Sequence, residues 1–215
     1  MIVSPGRRYV FVHIPKTGGT ALALTLESRA MRDDLMLGDT PKAMKRRRRL
    51  RDVQTRGRLW KHSTLADIDG LIAPEIMNGL FAFTLVRNPW DRAVSYYHWL
   101  RDQNFDHPAV ALARRLEFYE FVMNPTIMAS FRSYPARRYM RHADGREHCD
   151  AYIRIEKFDE DAAPLIAHLG FDLKMPFLNQ SSRARDYRGY YSCESAATIA
   201  ECCAEDISRF GYTFE

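Results

Sequence analysis

Two clusters in this sequence bring together residue types, at spacings, that can do chemistry. The first is His13-Ile14-Pro15-Lys16-Thr17-Gly18-Gly19-Thr20. Paired glycines let the backbone approach a ligand closely, and successive N–H groups at a helix start form a nest for an anion. Lys16 adds a full charge, and Thr17 and Thr20 add hydroxyl donors. This is the composition of a phosphate cradle. It is not a Walker A loop, which places its lysine after the glycines, whereas Lys16 precedes them. The second cluster is TLVRNPWDRAVSYY, residues 84–97. Arg87 leaves the end of an apolar run, and Ser95 falls about one turn into the helix expected next. A forked guanidinium beside a hydroxyl suits a terminal phosphate monoester. Taken alone, the same residues also permit a plainer arrangement, with Arg87 paired to Asp91 and Ser95 on a helix surface. No magnesium-binding aspartate is evident after this run.

Between the clusters lies His62, in WKHSTLADI. A hydroxyl is a poor nucleophile near neutrality, and a neutral imidazole can take its proton during attack. Glu156 is the rival carboxylate base. His13 reads as structural, being inside an apolar run, and His98 follows a tyrosine pair where it could line an acceptor.

These residues need elements to hold them. Residues 9–14 (YVFVHI) read as a buried strand, 15–19 as a tight loop, and 20 onward as a helix that Thr17 or Thr20 can cap. Residues 81–86 (FAFTLV) read as a second strand, broken by Arg87-Asn88-Pro89-Trp90, with a helix from Asp91. Residues 151–155 (AYIRI) make a third strand. Helices are expected over 64–73, 108–123, 159–169 (stopped by Gly170) and 192–210, with 60–63 extended and 125–145 irregular. Strands alternating with helices imply an α/β fold, a parallel sheet flanked by helices in a single domain spanning 1–215. In such sheets ligands bind beyond the C-terminal ends of the strands, where both polar turns fall.

Taken together, HIPKTGGT and then VRNPWDRAVSYY about seventy residues later resemble the sulfotransferase superfamily, most closely the branch of Golgi-type carbohydrate sulfotransferases and their bacterial relatives. The resemblance implies a P-loop-like fold and 3′-phosphoadenosine 5′-phosphosulfate as sulfuryl donor, with no metal. It implies that Lys16, Thr17, Gly18, Gly19 and Thr20 hold the 5′-phosphosulfate, that Arg87 and Ser95 hold the 3′-phosphate, and that Lys16 and His62 are catalytic, His62 as base. The acceptor implied is a hydroxyl, on a carbohydrate. The tail fits as well, with Asn179-x-Ser181, Tyr190, Tyr191 and EDISRFGYTF, and with Arg183, Arg185 and Arg188 where relatives bring a late loop over the nucleotide. Trp90 is a candidate for the adenine slot.

Composition sets the outer limits. Of 215 residues, 46% are apolar, which excludes global disorder. No run approaches about 20 apolar residues and no signal peptide is visible, so neither an integral membrane segment nor secretion is expected. Cys149, Cys193, Cys202 and Cys203 form no C-x-x-C pair, which points to a reducing, cytoplasmic setting without disulfides or zinc. The net charge is +5, but residues 42–51 hold seven basic residues and no acid, so the remainder carries a slight acidic excess. That run reads as a solvated, mobile insert, or as a guide for a polyanionic acceptor. Nothing supports nucleic acid as partner, and nothing signals an oligomeric state. Two other function classes stay open: an ATP-dependent phosphotransferase, and a nucleotide- or polyanion-binding module on an inactive sulfotransferase scaffold.

Overall fold

The apolar runs at residues 9–12 and 81–86 are buried along nearly their whole length, as strands covered on both faces must be. The computed structural model describes residues 1–174, 184 and 186–215. Along the chain it runs β1 (Ile2–Ser4), β2 (Tyr9–Val12), α1 (Gly19–Ser28), β3 (Leu35–Met36), α2 (Pro41–Arg46), α3 (Pro74–Asn78), β4 (Phe81–Val86), α4 (Pro89–Arg101), α5 (Pro108–Arg115), α6 (Phe118–Val122), α7 (Pro125–Ser133), α8 (Ala136–Tyr139), β5 (Ala151–Arg154), α9 (Phe158–Asp161), α10 (Ala163–Leu169), α11 (Cys193–Cys202) and α12 (Ala204–Phe210). These elements form two compact units. One holds Met1–Val86 with residues 136–174; the other holds Arg87–Pro135 with the described residues from 184 on.

The first unit is an α/β layer built on a five-stranded sheet in the order β3-β1-β2-β4-β5. β2, β4 and β5 are parallel, with Val12 opposite Thr84 and Val86 opposite Arg154. The Thr84 hydroxyl donates to the Val12 carbonyl at 2.8 Å, so even the polar residue of β4 is satisfied inside the sheet. Tyr9, Phe11, Phe83, Leu85 and Ile153 form one apolar face, covered by Leu22 and Leu26 of α1 and by Leu165 of α10. Two strands escape the sequence reading. β1 pairs antiparallel with β2 through a tight hairpin closed by Arg8 N–H to the Pro5 carbonyl, and the two-residue β3 pairs antiparallel with β1. Both are too short for their periodicity to register.

The basic run is not a structureless insert: it forms α2 and the helical turn after it. Thr40 caps α2, its hydroxyl accepting from the Ala43 N–H at 3.2 Å. Lys42 donates to the Glu27 carbonyl, Arg46 to the Met31 carbonyl at 2.7 Å, and Arg49 to the Arg32 carbonyl. Part of the run therefore serves to satisfy carbonyls at and just beyond the C-terminal end of α1. Lys45, Arg47, Arg48 and Arg51 stay exposed.

The second unit is helical. Trp90, Val94, Tyr97, Phe118, Phe121 and Ile199 lie in its core. The helix expected over 108–123 is two helices, because Leu116 turns extended (ψ 145°) and Glu117 opens α6 with a capping box to Glu120. Two more expected helices are likewise interrupted. Pro164, which has no N–H to donate, marks the restart after Ala162, and Cys203 (φ −113°, ψ 20°) separates α11 from α12. The stop at Gly170 stands, with φ 72°. Residues 125–145, expected to be irregular, contain α7, which Asn124 caps and Pro125 begins, and α8. The helix expected over 64–73 is a series of turns instead. Thr64 and Asp67 close one turn on each other's backbone, and Gly70, at φ 92°, leaves the helical region.

Candidate active site

The loop after β2 owes its shape to three residues. Lys16 is left-handed at φ 66°, a conformation that costs a non-glycine residue energy and clusters at functional sites. Gly18, at φ 85°, is left-handed too and caps α1 without a side chain. Gly19 is required by contact: a Cβ there would sit 2.1 Å from Cδ2 of His13. The result is a helix whose first turn has neither a side-chain cap nor an acid, an arrangement whose N–H groups and dipole favour an anion. Thr17 is buried and its hydroxyl donates to the Ile14 carbonyl at 2.9 Å, which spends its proton on bracing the loop. Thr20 is exposed at the helix start, and Lys16 is half-buried.

His13 links this loop to His62. Its ring is buried, stacks on Phe11 at 5.9 Å between centroids, and meets the His62 ring edge-on at 4.6 Å. Its carbonyl oxygen lies 2.7 Å from Nδ1 of His62. A carbonyl can only accept, so Nδ1 carries the proton and Nε2 of the neutral ring carries the lone pair. Burial, above all, lowers the His62 pKa to about 4, opposed by that same hydrogen bond, and holds His13 well below the ordinary histidine value. His62 is therefore neutral near pH 7, with a defined basic nitrogen.

Residues 60–63, expected to be extended, form a tight turn. Buried Ser63 accepts from the Trp60 N–H at 2.9 Å and donates to the Arg58 carbonyl at 2.8 Å, while Lys61 pairs with Asp39. The sequence gives little sign of this brace, because the hydroxyl works through hydrogen bonds to backbone that residue type does not reveal. Glu156 is exposed, in the single helical turn after β5.

In the second unit Arg87 pairs with Asp91 through Nη2 at 2.6 Å and Nε at 2.8 Å, both side chains being mostly buried. Ser95 is buried on the next turn of α4, so Arg87, Asp91 and Ser95 recur every four residues along one face. The plainer arrangement permitted for Arg87 thus exists, and it aims the guanidinium along that face. Asn88 is the residue that sequence reasoning passed over. Its side-chain oxygen accepts from the Trp90 N–H at 3.0 Å and its amide donates to Tyr187 at 3.2 Å and to the Thr213 carbonyl at 3.0 Å, which fixes the start of α4 to the tail. The signal was available, since asparagine before proline is the standard N-cap followed by N1.

Trp90 is buried, packs edge-on against Phe214 and donates to the Ala196 carbonyl at 2.9 Å, so its ring belongs to the core. Tyr191 donates to the Trp90 carbonyl. Arg188 pairs with Asp186, and His98 packs between the rings of Tyr97 and Tyr190. Asn179, Ser181, Arg183 and Arg185 lie outside the described residues. The four cysteines are free thiols. Among the described residues, no cluster of three or more His, Cys, Asp or Glu could hold a metal ion, and no helix is long and apolar enough to cross a membrane.

Comparison with known proteins adds two findings. The profile described as "Sulfotransferase family" matches residues 1–170. Among solved structures, the chain is similar to mouse sulfotransferase SULT7A1 complexed with PAP, at 16% identity and a TM-score of 0.47, over 94% of this chain and 84% of that one. No curated protein gives a significant match.

Proposed function

The chain belongs to the sulfotransferase family, and from that premise we propose that it moves a sulfuryl group from 3′-phosphoadenosine 5′-phosphosulfate to an acceptor hydroxyl on a carbohydrate. The observation that carries this reading is the joint geometry of loop and histidine: an uncapped α1 start with Lys16 and Gly18 left-handed, tied through His13 to a neutral His62 whose basic nitrogen is defined.

In the proposed reaction Lys16, Thr20 and the N–H groups around Gly18 and Gly19 receive the 5′-phosphosulfate, with Thr17 bracing the loop. Arg87 and Ser95 bind the 3′-phosphate. The acceptor oxygen attacks sulfur in line while Nε2 of His62 takes its proton. An O–S bond forms, and the bond from sulfur to the bridging oxygen of the 5′-phosphate breaks. Negative charge develops on that oxygen, where Lys16 and the loop N–H groups stabilise it, leaving adenosine 3′,5′-bisphosphate. Protein donors meet the charge in this scheme, and no metal has a part in it. The four free thiols favour a reducing, cytoplasmic setting.

Calorimetry with adenosine 3′,5′-bisphosphate and AMP tests the donor. Strong preference for the bisphosphate is expected, and equal affinity would sink the Arg87/Ser95 assignment. A parallel assay of labelled sulfate transfer by Lys16→Ala should show activity lost with the fold intact. Full activity in that variant would remove the loop from the mechanism.

A further inference from the structure

We propose that Trp60 is the acceptor platform: a preformed ring surface beside the base, on which the apolar face of a pyranose stacks so that one of its hydroxyls meets Nε2 of His62. This rests on the reading above and extends it from the donor to the acceptor.

Trp60 is 46% exposed, whereas Trp90 is buried. Its ring is also packed against that of His62, the proposed base. The Trp60 and His62 rings meet edge to face, 5.0 Å apart and 85° inclined, and His62 in turn touches His13, which touches Gly19 of the loop. A ring resting on Trp60 is thus next to the base rather than on a remote surface.

The backbone that carries the platform is braced. Ser63 accepts from the Trp60 N–H, and the Trp60 carbonyl accepts from the Ser63 N–H at 3.2 Å. Lys61, between the two rings in sequence, is anchored to Asp39. A residue whose backbone is fixed this way has less freedom to lose when a ligand arrives, which is what a binding surface needs. One flat apolar surface flanked by polar groups suits a pyranose, with its axial C–H face and equatorial hydroxyls.

The test uses the full chain with three separate acceptors, chitotriose, a chondroitin tetrasaccharide and 2-naphthol, and follows labelled sulfate. The wild type is expected to use a saccharide. Trp60→Ala should raise KM for it about ten-fold or more, the size expected for losing a stacked ring, with kcat within about three-fold. Trp60→Phe should recover most of the loss, which a merely structural role would not produce. Affinity of both variants for adenosine 3′,5′-bisphosphate should match the wild type, showing that they fold. An unchanged acceptor KM in Trp60→Ala, transfer to 2-naphthol alone, or transfer to none of the three would each overturn the proposal. Loss of bisphosphate preference in the wild type is a separate result that would overturn the donor reading instead.

Discussion

The two units present their proposed anion-binding groups by different means. In the first, the loop after β2 relies on backbone: the left-handed Lys16 and Gly18, the uncapped first turn of α1, and a glycine that makes room for His13. Its one polar side chain that is fully buried, Thr17, is spent on holding the loop. In the second unit, Arg87, Asp91 and Ser95 recur every four residues, and the proposed site is made of side chains. Backbone sites are invisible to charge counting and insensitive to most side-chain changes. Side-chain sites are the reverse. This explains why the net charge of +5 says little about the donor: most of the excess lies in residues 42–51, where Lys42, Arg46 and Arg49 satisfy carbonyls.

Four experiments press on this contrast. The largest effect should come from His62→Ala, which removes the proposed base. We expect kcat to fall by about 10²–10⁴-fold with adenosine 3′,5′-bisphosphate still binding, and a loss of binding instead would make His62 part of the donor site. Next, Arg87→Ala should weaken adenosine 3′,5′-bisphosphate by about ten- to a hundred-fold, the scale of charged hydrogen bonds, while AMP is unaffected. A smaller effect is expected for Thr17→Val. It should lower the urea midpoint by about 1 kcal/mol of stability and leave bisphosphate affinity alone. Weakened binding at unchanged stability would show that Thr17 contacts the ligand rather than only bracing the loop.

The last test concerns pH. Burial lowers the His62 pKa to about 4 and pushes His13 well down. The unfolded chain therefore takes up protons below about pH 6.5 that the folded chain does not. Stability should rise with pH through this range, so the urea midpoint should be lower at pH 5 than at pH 7. A flat profile between those values would contradict neutral, buried histidines. A His62→Gln variant should show a shallower dependence.

Legibility followed the length and period of each signal. Strand β4 was readable to its ends because a six-residue run with only Thr84 polar admits few alternatives, and the α/β class followed from strands alternating with helices. The helix breaks at Leu116 and Cys203 were not, since each depends on one residue's backbone angles within an otherwise helical pattern. The same division runs through the site. Lys16, Gly18, Gly19, Arg87, Ser95 and His62 stood out by type and spacing, whereas Asn88 and Ser63 work through hydrogen bonds to backbone that composition does not record.

Residue type and order by themselves determined the class of fold, the two polar turns and the candidate anion-binding groups, because hydrophobic period and glycine placement are local properties. Tertiary structure alone decided three further things. His13 fills the space over Gly19, the His13 carbonyl accepts from Nδ1–H of His62 and so leaves the lone pair on Nε2, and Trp90 is withdrawn into the core while Trp60 is left half-exposed. Each is a contact between residues distant in sequence, or the result of one, and burial, tautomer and exposure follow only once the chain has folded back on itself.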